Sequence, residues 1–385
     1  MIWKTGKVLF LLILVIGAGF IATLIISFMP GAVFYRPFCM VVAGWAAVMV
    51  LWKCFGRTGR RRFWQIVLVS LLLFMTAAVA YELRSQYIRS IPTINEDSLI
   101  LDRYAPFVEG SKVARLAERP ELKLHEQLPR LDGATALYPL YAAFVQAVYP
   151  EGEYKPYDSI VTSTTTSQAY KRLIEGKVDI VFAAQPSKEQ LATAAEKGVE
   201  LKLTPIGKEA FVFFVHADNP VKGLSSSQLR DIYSGKVNNW SKVGGDSSRI
   251  RAFQRPKNSG SQTMLTAFMD GTPIEEPPTE DVAGGMGEII TQTADYRNYP
   301  NAIGYSFLFY ATEMASNGDI RLLAVDGVNP SRETIRSGEY PLAKPFYAVT
   351  AGSDNPNIDL LIDWILSPQG QELVHKTGYT PLAGH

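Results

Sequence analysis

The feature that most constrains this 385-residue chain is an apolar run near its N-terminus. Residues 8–29 are uncharged and mostly apolar, and as a helix they would extend about 33 Å. This is enough to cross a bilayer core about 30 Å thick. A cleaved signal peptide is the alternative, but the run is longer than a usual signal core and has no small-x-small cleavage site. We therefore predict a retained transmembrane helix.

Two further apolar runs follow, at about residues 38–55 and 63–81. Three such runs separated by short loops that contain arginine predict a membrane module over residues 1–90. The second run is short, so a buried helix of a soluble protein stays open as the alternative for it.

The charges around these runs predict their orientation. The first loop carries only Arg36, whereas the N-terminus and the second loop together carry seven basic residues: Lys4, Lys7, Lys53, Arg57, Arg60, Arg61 and Arg62. Basic loops stay in the cytoplasm. We predict a multi-pass protein of the cell membrane with a cytoplasmic N-terminus and an extracytoplasmic remainder, so its first partner is the lipid bilayer.

Charge and cysteine usage exclude several function classes for the remainder. Residues 1–90 hold ten basic residues and one acid, which leaves 28 basic and 36 acidic residues beyond them. This mildly acidic balance lacks the basic patch that nucleic-acid binding needs. Cys39 and Cys54 are about 22 Å apart on a helix, too far for a disulfide. The rest has no cysteine, so it has no thiolate metal site.

Beyond the membrane module, a connector at 91–125 contains enough apolar residues to pack on a domain rather than float. From residue 126 onward, helix-like stretches (134–149, 167–175) alternate with strand-like ones (160–162, 178–184, 209–216). Such alternation predicts an α/β fold.

Two aromatic segments, 210–220 and 345–356, resemble each other, and both end in Asn-Pro. Such strands could carry the chain from one lobe to another and back. Two unrelated edge strands are the alternative.

Three small, hydroxyl-rich segments, 133–136, 162–168 and 255–263, each precede a helix-like run. A helix N-terminus offers unpaired N–H groups and a partial positive charge, and small residues let an anion approach it. Arg255 adds a planar donor fork that suits an oxyanion. A serine or threonine before a helix is often only a cap, but three such segments together favour an anion site.

Signals of catalysis are missing. The sequence has no Walker-type phosphate loop, no paired metal histidines and no Gly-x-Ser-x-Gly turn, and its four histidines are scattered. We predict a protein that is not an enzyme and uses no metal or cofactor.

Residues 130–385 resemble the substrate-binding protein of bacterial phosphate ABC transporters. The resemblance rests on the Gly-Ala-Thr segment at 133–135, on 232–245 with its Trp-Ser-x-Val-Gly-Gly end, and on Arg255 followed by Ser-Gly-Ser at 259–261. It implies a two-lobed periplasmic-binding-protein fold of type II within 126–385, with lobe I at about 126–211 and 345–385 and lobe II at about 212–344. The two aromatic segments would be its hinge strands.

The resemblance also implies the residues that contact the oxyanion: Thr135, Ala136, Thr166, Ser167, Arg255, Ser259, Gly260 and Ser261. Where the family has an acceptor aspartate, this chain has Gln185. Because an amide donates as well as accepts, we expect weaker discrimination between phosphate and sulfate. The second segment also lacks the family's Gly-Gly after its serines.

These features predict a membrane-tethered protein that captures phosphate or a related oxyanion by lobe closure and delivers it to an ABC permease. The alternative is a membrane sensor or assembly protein whose cleft is degenerate.

Overall fold

The computed structural model describes residues 2–26, 32–56, 59–90, 100–278, 281–284, 299–315 and 319–382. The chain forms two compact units, Met1–Ile94 and Asn95–His385.

The first unit contains three helices, α1 (Ile2–Ile26), α2 (Ala32–Phe55) and α3 (Arg60–Ser90). All three contain stretches long and apolar enough to cross a membrane: Val8–Ile26, Phe34–Phe55 and Arg60–Leu83. Residues 27–29, the predicted end of the first span, lie outside the described residues. The second helix is longer than predicted, because Arg36 and Pro37 do not end it.

Small residues allow α1 and α2 to pack closely. A Cβ added at Gly19 would lie 2.6 Å from the Cβ of Ala43. The outer faces are apolar, with Phe10 63% exposed and Leu73 65% exposed. Exposed apolar side chains on closely packed helices are typical of helices that face lipid.

The second unit alternates strands and helices. The strands are β1 (Leu131–Gly133), β2 (Ile180–Ala183), β3 (Lys202–His216), β4 (Gly223–Leu224), β5 (Arg251–Ala252), β6 (Ala302–Phe307), β7 (Ile320–Leu322), β8 (Ala324–Val325) and β9 (Ala343–Thr350). The helices are α4 (Tyr138–Val148), α5 (Thr166–Ile174), α6 (Lys188–Glu196), α7 (Ser226–Tyr233), α8 (Gly260–Phe268), α9 (Arg332–Ser337), α10 (Asn357–Leu366) and α11 (Pro368–Thr377). Short 3-10 turns lie at Thr135–Leu137 and Trp240–Val243.

The sheet runs in the order β1-β2-β9-β3-β6-β5, with β7 also beside β3. Residues 202–210 of β3 pair antiparallel with β9, whereas residues 211–215 pair with β6. We call β1, β2, β9 and the start of β3 the first half-sheet, and β5, β6, β7 and the end of β3 the second. The two similar aromatic segments lie on the neighbouring strands β3 and β9 but do not pair with each other, because residues 345–350 pair with residues 202–208. β3 carries the chain from one half-sheet to the other.

Local chemistry explains where several elements begin. Ser187 and Ser225 each accept a hydrogen bond from the backbone of a glutamine three residues later, whose side chain accepts one in return. The predicted strand at 160–162 forms only a single bridge, from Val161 to Leu131. There the Ser159 hydroxyl accepts from the N–H of Val161 and donates to Lys155, so a side-chain turn competes with the ladder.

The described part of the connector, residues 100–125, lies on the second unit. Leu101, Tyr104, Val113 and Leu124 are buried in its core. The N–H of Leu124 donates to the carbonyl of Val148 at 2.8 Å. The connector is thus a packed part of the domain, as its apolar content predicts.

Candidate functional site

The three hydroxyl-rich segments meet at one cavity in the second unit. The first begins at the end of β1 and leads into α4, the second leads into α5, and the third follows β5 and leads into α8. The cavity is small, about 20 Å³, which is room for about one water. Its polar and small lining residues are Ala134, Ala136, Thr166, Ala184, Glu209, Gly260, Lys344 and Tyr379.

The closest approach is between the starts of α5 and α8. A Cβ added at Gly260 would lie 2.8 Å from the Oγ1 atom of Thr166. Only a glycine allows two helix N-termini from opposite half-sheets to come this close. Each N-terminus carries unpaired N–H groups and a partial positive charge, so their convergence favours an anion between them.

The two serines beside Gly260 have different roles. Ser259 is the N-cap of α8, and its hydroxyl accepts from the N–H of Gln262 at 3.2 Å. Ser261 is 1% exposed, and its Oγ atom has no partner among the described residues. Because a buried hydroxyl without a partner is costly, Ser261 is a donor suited to a bound ligand.

The first segment is held from two sides. The Ala134 N–H donates to the Phe182 carbonyl at 2.9 Å. The Tyr379 hydroxyl donates to the carbonyl of Ala136. Thr135 is buried in the same turn. These contacts fix the turn as a wall of the cavity.

The second segment is positioned by Asp132, which the sequence analysis did not single out. Its buried carboxylate accepts from the Thr164 N–H at 2.9 Å, from the Thr164 hydroxyl at 2.7 Å and from the Arg172 guanidinium. Thr165, the N-cap of α5, has a φ of 81°, a conformation that costs energy outside glycine. The network thus sets the direction in which α5 begins. The sequence feature that could have pointed to Asp132 is an acidic residue inside the buried strand Leu131–Gly133.

Of the predicted contacts, Ala136, Thr166 and Gly260 line the cavity and the others do not. The Arg255 guanidinium donates from Nη1 to the Ala283 carbonyl at 3.3 Å, and its backbone N–H donates to Gln262 and Tyr305 at 2.9 Å each. Ser167 lies half-buried in the first turn of α5. The structure therefore brings Ala136, Thr166 and Gly260 together at the cavity. Thr135, Ser259 and Ser261 are their immediate neighbours in the chain, and Ser259 is a helix cap.

The position of Gln185 differs from the expectation. Its side chain is exposed and lines a neighbouring open groove with Lys257 and Asn258, whereas Ala184 lines the cavity. Side chains alternate in direction along an extended chain, so a shift of one residue moves the amide outside. The structure therefore gives no support to Gln185 as the residue that discriminates phosphate from sulfate.

Polar contacts join the two sides of that groove. The Ser187 hydroxyl donates to the Asn258 side chain at 2.9 Å, and the Asn258 amide donates to Glu189 at 2.7 Å. Lys257 pairs with the same Glu189 carboxylate. These contacts link the segment after β2 to the segment before α8.

Glu209, on β3, is a cavity residue that the sequence analysis missed. It is 7% exposed, and Oε1 accepts from the Ala210 N–H at 2.8 Å. Burial raises its pKa to about 8, although backbone hydrogen bonds from Ala210 and Phe309 and the charge of Arg332 lower it. One acid in an aromatic strand was its only signal in the sequence.

We expect the Glu209→Gln variant to lose part of the pH dependence of stability. The unfolded carboxyl ionises near 4.5 and the folded one near 8. Between these two pH values, Glu209 is protonated in the folded state and ionised in the unfolded state. The free energy of unfolding therefore falls by about 1.4 kcal/mol for each unit that the pH rises. Denaturant titrations at pH 5.5 and 7.5 would measure a smaller fall in the variant. Equal falls in both proteins would show that Glu209 does not titrate in this range.

The fold and the cavity define a class, the two-lobed α/β binding proteins whose crossing strands connect the lobes. The model of the PBP superfamily domain matches residues 128–369, and the chain belongs to this family. The predicted fold class is confirmed.

The chain is also similar to individual proteins of known name. It is 27% identical over 254 residues to the phosphate-binding protein PstS of Bacillus subtilis, covering 66% of this chain and 80% of that protein. It is 24% identical over 262 residues to PstS of Borreliella burgdorferi, covering 66% and 90%. A Clostridium perfringens protein, described as a phosphate ABC transporter substrate-binding protein and solved with bound phosphate, is 25% identical. It has a TM-score of 0.51, with 66% of this chain and 98% of that one covered.

Proposed function

We propose that this chain is a membrane-tethered, extracytoplasmic solute-binding protein that captures phosphate or a related oxyanion for uptake by an ABC transporter. The observation that carries the proposal is the convergence of the α5 and α8 N-termini, where a Cβ added at Gly260 would lie 2.8 Å from the Thr166 hydroxyl. The named relatives support phosphate as the anion, because their names assign them phosphate binding.

The chemistry of the cavity favours a tetrahedral oxyanion. Backbone N–H groups and the hydroxyls of Thr166 and Ser261 are neutral donors that satisfy several oxygens at once. Neutral donors hold an anion without the desolvation cost of burying a full opposite charge beside it. Thr135 and Ser167 lie in the same two segments, and Arg255 and Ser259 complete the proposed set around α8.

The groups present favour binding rather than catalysis. Within the described ranges, no three His, Cys, Asp or Glu side chains come together as a metal site. The cavity lining includes Glu209 but no histidine or cysteine to act with it. We therefore propose a receptor that takes up and releases its ligand unchanged, closing its two half-sheets around it.

The three apolar helices support anchoring in the cytoplasmic membrane, with the N-terminus inside and the binding domain outside. This orientation rests on the basic second loop. Such a tether would hold the binding domain beside a membrane partner, for which an ABC permease is the partner proposed here.

A membrane sensor or assembly protein with a degenerate cleft is the second candidate. The observation that favours it is the Arg255 guanidinium, which hydrogen-bonds a backbone carbonyl and does not line the cavity. A degenerate cleft would bind no oxyanion, whereas a receptor would, so measuring binding separates the two.

Equilibrium dialysis of the full chain in detergent micelles with radiolabelled phosphate tests the proposal. We expect Thr166→Val to lower the affinity about 10-fold to 100-fold, because a hydrogen bond to a charged group is worth about 1.5–3 kcal/mol. Thr193→Val, an exposed site on α6, is the matched control and should bind as the wild type does. Absence of phosphate binding by a folded wild-type chain would favour the second candidate.

A further inference from the structure

The cavity contains one ionisable carboxyl that none of the predicted contacts uses. Glu209 lies on β3 at the point where this strand passes from the first half-sheet to the second. Its Oε2 atom is buried and has no hydrogen-bonding partner among the described residues. Glu209 and Thr166 line the same small cavity. A buried carboxyl oxygen without a partner beside an anion site is suited to contact the ligand.

Among the described residues, no charged group pairs with this oxygen. Lys344 is its cross-strand neighbour on β9 and lines the cavity, but its side chain is exposed and forms no ion pair with Glu209. Arg332 on α9 acts at a distance and pairs with Glu313. Burial, and next the charge of Glu209, raise the pKa of Tyr379, which also lines the cavity.

We propose that Glu209 is a specificity-determining contact of the oxyanion, which it meets as a neutral carboxyl that donates its O–H from Oε2 to an anion oxygen. This inference rests on the proposed function. It assigns to β3 a contact that the segment after β2 does not provide, because that segment has Ala184 at the cavity.

The neutral state is the one that suits a bound anion. An ionised carboxylate would repel a dianion in this water-poor cavity, whereas a protonated one donates a hydrogen bond to it. Burial holds the carboxyl pKa near 8, so the neutral form dominates at pH 7. Above that pH, the fraction of molecules with a protonated Glu209 falls about tenfold per pH unit, and the apparent affinity for phosphate falls with it.

The phosphate-bound state is therefore linked to one proton on the protein. Inorganic phosphate is itself almost entirely the dianion above a pH of about 8. Between pH 8 and pH 10, a change in affinity then reports the protein and not the ligand. The raised pKa values of Tyr141 and Tyr379 keep these phenols neutral over the same range.

The test measures phosphate affinity of the full chain in micelles at several pH values from 8 to 10, for wild type and Glu209→Gln. The glutamine keeps a neutral donor that does not titrate. We expect the wild-type affinity to fall about tenfold per pH unit, whereas the variant loses this slope and binds more tightly than the wild type at pH 10. Glu313→Gln changes a carboxylate outside the cavity and should keep the wild-type slope.

Three outcomes separate the possibilities. The proposal is supported if the phosphate affinity of Glu209→Gln stays constant from pH 8 to 10 while that of the wild type falls. Phosphate binding with the same slope in both proteins would overturn the role of Glu209 and leave the proposed function intact. A wild type that binds no phosphate at any pH, although folded, would overturn both. Thermal unfolding of each variant shows whether a loss of binding reflects a loss of the fold.

Discussion

Replacing Gly260 with valine should reduce phosphate affinity by at least about 100-fold. A Cβ at this position would lie 2.8 Å from the Thr166 hydroxyl, closer than unbonded atoms normally approach. The branched side chain would then occupy the space between the α5 and α8 N-termini, where the anion must reach backbone N–H groups. Losing one or two charge-assisted hydrogen bonds, each worth about 1.5–3 kcal/mol, is enough for this effect. Dialysis or calorimetry of the full chain measures it.

Ala267→Val is the matched control, because it adds the same branched side chain at an exposed position of the same helix. Its affinity should stay within about twofold of the wild type, since exposed substitutions away from a site change little. If Gly260→Val bound phosphate as tightly as this control, the two helix N-termini would not form the anion site.

Replacing Asp132 with alanine should lower the free energy of unfolding by about 3–5 kcal/mol, because breaking a buried ion pair leaves its partner uncompensated. The Asp132 carboxylate is fully buried, and Arg172, 28% exposed, would lose its acceptor. The N–H and hydroxyl of Thr164 would lose theirs as well. Since this network directs the start of α5, phosphate affinity should fall in the same variant. Denaturant titration of the full chain in micelles gives the stability change.

Glu153→Gln provides the contrast for this measurement. Glu153 pairs with Lys155 on the surface, where its side chain is 73% exposed. Exposed ion pairs contribute about 0–1 kcal/mol, so this variant should unfold almost as the wild type does. Similar losses in Asp132→Ala and Glu153→Gln would contradict a structural role for the Asp132 network.

The sequence predicted the architecture well where a pattern extends over many residues. Hydropathy over spans of about twenty residues located the three helices of the first unit. The aromatic stretch 210–215 forms a fully buried strand, as its composition predicts. The similar segments 210–220 and 345–356 lie on the neighbouring strands β3 and β9, but β9 pairs with residues 202–210 of β3, so the similarity did not predict the pairing.

The site was predictable as segments but not as individual side chains. Small and hydroxyl residues before a helix have a local physical meaning, and these segments do meet at one cavity. The choice between Ala184 and Gln185 depends on which way one extended residue faces, which no local pattern determines. Asp132 is a single acid inside a short buried strand, and Glu209 follows Lys208 at the start of an aromatic stretch. Their partners come from segments tens of residues away in the chain, so only the folded arrangement reveals them.

Hydrogen–deuterium exchange of the full chain, with and without saturating phosphate, tests the central claim most directly. If the three segments form one oxyanion site, phosphate should slow exchange together in peptides containing Thr135–Leu137, Thr166 and Gly260, because bound N–H groups exchange slowly. Slowed exchange confined to the groove around Gln185 and Lys257, or no change despite measured binding, would contradict the account.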